Sequence, residues 1–171
     1  MLVRGLCSAA AAISLCCALP GPAHATPVFS APEAVQVEGA KSYDFRSAVT
    51  GRDYRLFVYV PPGPTPAGGF PVVYVLDGNS GFYTAVATAR SQAMFGEIRS
   101  AIVVGVGYPM SDPMEILKTR NKDLTTPITA ETLAKLPPNP GLTPDNTGGL
   151  DAFLDVIDTE VKPFIASLQT V

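Results

Sequence analysis

Acyl transfer by a serine or cysteine nucleophile needs a base, and the chain holds a single histidine, His24. Its three cysteines are Cys7, Cys16 and Cys17. All four residues fall in an N-terminal stretch with the pattern of an export signal. Arg4 makes a positive start, Leu6 to Leu19 carries no charge, and Ala23-His24-Ala25 is a small-x-small cleavage site before Thr26. The apolar stretch is shorter than the roughly 20 residues a membrane span needs. Residues 1–25 are therefore expected to be removed, leaving no stable membrane anchor and a periplasmic or secreted product. Residues 26–171 then contain no histidine and no cysteine. As it stands, that segment cannot run Ser-His-acid or Cys-His hydrolysis, form a disulfide or ligate a metal through imidazole or thiolate. No cofactor and no metal are expected.

What remains for chemistry is backbone donors and a few polar side chains. Asp77-Gly78-Asn79 ends an apolar run abruptly, the kind of turn that points N–H groups at the carboxyl end of a sheet. Taken alone it is an ordinary Asp-Gly turn. Ser80 follows it, but has no histidine to activate it. Arg120 and Asp123 read in two ways, as a contact to a substrate carboxylate or phenolate, or as an ion pair that fixes a loop; the pair is preferred. Tyr83 and Tyr108 can line a cleft mouth or simply pack. Loss of Arg4 with the signal takes the net charge from −3 to about −4, and no basic block stands out. This argues against nucleic-acid partners and against an electrostatic membrane patch.

The elements that must position these residues follow from pattern. Residues 26–41 read as an N-terminal arm. From Ser42 the residues alternate, and after a turn at Thr50-Gly51-Arg52-Asp53 the run Tyr54 to Val60 is a strand, so the two should form an antiparallel pair. Pro71 to Leu76 and Ala101 to Val106 are continuous apolar runs suited to strands buried on both faces. Between them lies a helix of roughly Gly81 to Met94, capped by Asn79 or Ser80. Strand, helix and strand make a parallel βαβ unit. Residues 108–147 carry seven prolines (Pro109, Pro113, Pro127, Pro137, Pro138, Pro140 and Pro144) and read as a lid-like excursion with short helices near Asp112 to Lys118 and Ala130 to Lys135. Leu150, Phe153, Leu154, Ile157, Val161, Phe164, Ile165 and Leu168 recur at helical spacing, with Thr147 as the expected N-cap and Pro163 expected to kink or divide the helix. Asp151, Asp155 and Asp158 form its solvated face.

Together, Thr50 to Pro62, the Val75-Leu76-Asp77-Gly78-Asn79 ending, the Val103 to Pro109 exit and the Arg120-Asn121-Lys122-Asp123-Leu124-Thr125 segment resemble the esterase branch of the α/β-hydrolase superfamily. That branch includes siderophore esterases and S-formylglutathione hydrolase. The resemblance covers roughly residues 42–168 and corresponds to the N-terminal half of such a hydrolase. It implies a truncated α/β-hydrolase fold, an N-terminal antiparallel strand pair leading into a parallel βαβ core with flanking helices. It also implies that backbone N–H groups of Gly78 or Asn79 serve an oxyanion hole, and that the substrate is a small-molecule ester, lactone or thioester. The family's Gly-x-Ser-x-Gly elbow is absent from the sequence. The nucleophile, acid and histidine are thus expected beyond Val171, with this chain inactive by itself. The alternative is a non-catalytic exported binding module built on a hydrolase-like half-fold.

Overall fold

In a computed structural model, residues 31, 34, 36–139 and 141–169 are described. The expected export signal at 1–25 and much of the arm lie outside the described residues. The chain divides into Met1–Val35 and Gln36–Val171, and the sheet and helices belong to the second unit.

Strands β1 (Ala40–Arg46) and β2 (Asp53–Tyr59) pair antiparallel, as their alternation predicts. Gly51 supplies the positive φ that their turn requires. Strand β3 (Val72–Val75) leads into helix α1 (Gly78–Met94), and β4 (Ile102–Gly107) returns parallel to β3. The sheet order is β1-β2-β4-β3, with β2 antiparallel to β4.

Side-chain alternation builds two layers on this sheet. Tyr54, Leu56 and Val58 of β2 and Ile102, Val104 and Val106 of β4 face one way. There they pack with Phe153, Val156, Val161 and Ile165. On the other face Tyr59 and Val103 meet Phe82 and Val86 of α1. Strand β4 is buried along its whole length, so its unbroken apolar run is explained by cover on both faces.

β3 departs from that expectation. Val73 is 45% exposed, the other strand residues are only partly buried, and Leu76 just beyond the strand is 49% exposed. The cause is position. β3 is hydrogen-bonded to β4 on one side, and among the described residues its other edge has no strand partner.

The chain after β4 is more ordered than its prolines suggest. Helix α2 (Pro113–Leu124) runs well past the expected end at Lys118. Asp112 caps it, accepting from the N–H groups of Met114 at 2.7 Å and Glu115 at 3.2 Å, and Pro113 fills a first-turn position that needs no donor. A short helix α3 (Ala130–Leu133) follows. The rest of the excursion is pinned to α2 by polar contacts. Asn121 donates to the Gly141 carbonyl at 2.8 Å, and Lys122 to the Thr147 carbonyl at 2.6 Å.

Helices α4 (Leu150–Val156) and α5 (Lys162–Ser167) are joined by a π-helical turn, Ile157–Val161. The division falls where Pro163 predicts it, since a proline lacks the N–H that a continuous α-helix would use. Thr147 is not the cap. Gly149 occupies the N-cap position, while the Thr147 hydroxyl accepts from Ile128 N–H and donates to the Pro144 carbonyl. The aspartates Asp151, Asp155 and Asp158 are exposed, and Lys162 pairs with Asp158 at 2.5 Å.

An apolar, unpaired strand edge invites pairing with other chains. Residues 26–171 alone should therefore associate with rising concentration in light scattering, and Val73→Lys should reduce that association. A sharp cooperative melt from a soluble wild-type monomer would contradict this.

Candidate functional site

The turn between β3 and α1 is built by a close approach of two backbones. The α1-facing residues of β4 shrink along the strand, from Val103 to Gly105 to Gly107. A Cβ on Gly105 would lie 3.0 Å from Cβ of Phe82 and 3.2 Å from Cα of Gly78. A Cβ on Gly78 would lie 2.7 Å from the Gly105 carbonyl carbon. One on Gly107 would run into the Asn79 side-chain oxygen. The first turn of α1 therefore sits directly on the β4 backbone. The Asn79 side chain then closes the gap with two bonds. Its Nδ2 donates to the Tyr108 carbonyl and its Oδ1 accepts from the Tyr108 N–H, both at 2.8 Å.

Helix α1 begins three residues earlier than its sequence pattern suggests, and neither Asn79 nor Ser80 caps it. Asp77 takes the N-cap position in the left-handed region, with φ 55° and ψ 43° and no side-chain cap bond. Its carbonyl accepts from the N–H groups of Ser80 and Gly81, each at 2.9 Å. Such a conformation costs a residue with a Cβ about 1–2 kcal/mol. Gly78 and Asn79 lie in the first helical turn, where an α-helix offers no internal acceptor for the N–H groups. Both residues are at the carboxyl end of β3, as the oxyanion expectation requires.

Beside the turn opens a cleft of about 340 Å³, lined by Asp77, Asn79, Ser80 and Tyr108 from the sheet end and by Pro113, Ile116, Leu117 and Arg120 from α2. Its floor is polar and its α2 wall mostly apolar. Ser80 is exposed there, its hydroxyl donating to the Asp77 carbonyl at 3.2 Å. Tyr83 points elsewhere: it is 58% exposed and meets Phe82 edge-on.

The expected Arg120–Asp123 pair does not form. Arg120 reaches the turn instead, donating from Nε to Oδ1 of Asp77 at 2.7 Å and from Nη2 to Oδ2 at 3.0 Å. This bidentate bond to Asp77 holds the Arg120 guanidinium above its ordinary value. Asp123 turns inward and is fully buried. There it pairs with Arg52 of the β1–β2 turn and accepts from the hydroxyls of Tyr108 at 3.1 Å and Tyr54 at 3.3 Å. Burial raises the Asp123 carboxyl above the usual carboxylate value, with Arg52 and the Tyr108 hydroxyl acting against it. Tyr108 is pushed up strongly, first by burial and then by the Asp123 charge. Tyr108 thus borders the cleft with its hydroxyl turned into the protein. Asp123 is a strut that ties α2 to the strand pair rather than a substrate contact.

Three features were not anticipated from sequence: the side-chain role of Asn79, the Asp77–Arg120 pair and the four-residue cluster around Asp123. Only the first left a local signal, the Gly-x-Gly at the end of β4. Among the described residues no group of acidic or imidazole side chains is placed to hold a metal.

A four-stranded, partly parallel sheet flanked by helices, with a glycine-seated turn at the carboxyl end of a parallel strand, has the α/β architecture found in hydrolases. Comparison with known proteins agrees. A family model described as Putative esterase matches residues 47–130, so the chain is similar to this family over those residues. It is 34% identical over 136 residues to ferri-bacillibactin esterase BesA of Bacillus subtilis (strain 168), covering 77% of this chain and 45% of that protein. It is 31% identical over 102 residues to the siderophore triacetylfusarinine C esterase of Aspergillus fumigatus, covering 59% of this chain and 31% of the relative. Among solved structures it resembles the BES protein from Bacillus cereus, with TM-score 0.65 and 28% identity over 82% of this chain and 52% of that one. The chain thus spans about half the length, or less, of the proteins it matches.

Three substitutions probe the site's frame. Asn79→Asp should destabilise by about 2 kcal/mol, because it replaces a donor facing the Tyr108 carbonyl with a second acceptor; chemical denaturation measures it. Asp123→Ala should cost about 3 kcal/mol, leaving Arg52 and two tyrosine hydroxyls without their shared acceptor. Tyr108→Phe should cost about 1 kcal/mol in the same assay.

Proposed function

We propose that residues 42–169 are the front part of an exported serine hydrolase that cleaves carboxylic ester, lactone or thioester bonds, and that they contribute the oxyanion turn. In this reading Gly78 and Asn79 offer backbone N–H groups to the developing oxyanion. The serine, the acid and the histidine come from sequence outside residues 26–171. The observation that carries the reading is the seating of the Asp77-Gly78-Asn79 turn on β4. Preorganised donors stabilise charge only if they need not rearrange when it develops. The glycine contacts and the Asn79 clamp supply that rigidity, and the adjoining cleft gives an acyl group room. Two of the relatives are named for siderophore substrates. A siderophore ester is therefore the first substrate class to try, with the apolar wall at Ile116 and Leu117 toward the bound ester.

The test joins genetics to enzymology. The coding DNA is read past the codon for Val171, and any longer frame is expressed beside the 171-residue chain. Both are assayed on a p-nitrophenyl ester and on a siderophore lactone, and the exported product is sequenced from its N-terminus. Expected are a frame leading to a Gly-x-Ser-x-Gly elbow and a late histidine, hydrolysis by the longer product only, and a mature start at Thr26. A true stop with no elbow in any frame would overturn the hydrolase reading and favour a non-catalytic exported binding module. Turnover by residues 26–171 alone would overturn the assignment of the catalytic groups.

A further inference from the structure

Asp77 is the only non-glycine residue among those described that has a positive φ. A left-handed residue bearing a Cβ persists where its surroundings fix it from more than one side. Asp77 is fixed from two. Its carbonyl is tied into α1 through Ser80 and Gly81, at 2.9 Å each. Its carboxylate is gripped by two N–H groups along one edge of a guanidinium, Nε and Nη2, at 2.7 and 3.0 Å. That guanidinium belongs to Arg120, which lies on α2 in the excursion and not on the sheet. The peptide groups of Gly78 and Asn79 follow directly after the gripped residue, so the torsions of Asp77 decide where their N–H groups point. A planar fork on a carboxylate fixes orientation as well as distance, which a point charge would not do. Helix α2 itself is anchored to the body by Asp123, three residues on, through Arg52, Tyr54 and Tyr108.

We propose that Arg120 is a positioning residue that aims the oxyanion turn, and that through it the excursion helix α2 is coupled to the site. The inference rests on the hydrolase reading above, and gives α2 a role beyond walling the cleft. Displacing α2 draws the guanidinium away from Asp77 and releases the turn. With α2 seated, the turn is held in its left-handed form.

Hydrogen exchange at the Ser80 and Gly81 amides reports the turn directly, because both are bonded to the Asp77 carbonyl. It is measured by mass spectrometry on the dilute full chain, with the β4 amides as an internal reference. Arg120→Met should speed exchange at Ser80 and Gly81 about fivefold and leave β4 unchanged, with Arg120→Lys falling between. Asp77→Gly, which adopts the left-handed region without strain, should make the turn indifferent to Arg120, so that Arg120→Met added to Asp77→Gly has no further effect. Equal exchange in wild type and Arg120→Met overturns the proposal, as does acceleration spread evenly over β4. In a longer hydrolytic product, Arg120→Met should lower kcat about tenfold with KM nearly unchanged, and added Asp77→Gly should restore part of it. If no product hydrolyses esters, the functional reading fails while the exchange data still decide the coupling. If esters are cleaved and Arg120→Met changes neither exchange nor kcat, only the positioning role fails.

Discussion

The packing of the first turn of α1 directly on the backbone at the end of β4 is the constraint on which the rest depends. Van der Waals contact between the two backbones is possible only because Gly78, Gly105 and Gly107 carry no Cβ. A methyl group at any of them forces the helix outward or the strand down, and a close-packed interior gives little room for either. With the gap closed, Asn79 can reach both polar atoms of the Tyr108 backbone, so the end of β4 and the start of α1 become one unit. The turn, the cleft and the apolar layer of Phe82 and Val86 all inherit their placement from it.

A second, polar frame holds α2. Its fully buried residues are Asn121 and Asp123, while Ile116 and Leu124 are only partly buried against the core, so apolar burial supplies just part of its attachment. Directional bonds supply the rest. Asp123 gathers Arg52, Tyr54 and Tyr108 at one face, Arg120 takes Asp77, and Asn121 takes the Gly141 carbonyl. Such a helix is oriented by a few polar contacts as much as by buried area. Its place is therefore more sensitive to single substitutions than that of α1.

Much of the architecture was legible in the sequence. Period-two alternation placed β1 and β2, the unbroken run placed β4, and the amphipathic spacing after Gly149 placed α4 and α5. The Asp77-Gly78-Asn79 turn was located from the abrupt end of an apolar run. What was not legible is long-range. Arg120 and Asp123 are three residues apart on a helix, a spacing that suggests a pair, yet each finds a partner from another part of the chain, Asp77 and Arg52. Nothing local to α2 indicates that choice, because it is made by which way the helix is turned when it docks. The burial expected of Pro71 to Leu76 missed for a related reason. An apolar run states what a strand can bury, and only the neighbouring strand decides whether it does.

The π-helical turn between α4 and α5 sets the phase of the second half of that helix. The buried residues step from Phe153 to Val156, then five positions to Val161, then to Ile165. Five is too many for an α-turn and suits the wider turn of Ile157–Val161. Each residue advances an α-helix by about 100°. The extra residue therefore works as a phase corrector, bringing Val161 and Ile165 back over the sheet after the pattern would have drifted off it. Homologues that shorten this segment by one position must either straighten the helix and repaint its apolar stripe, or lose contact with β2.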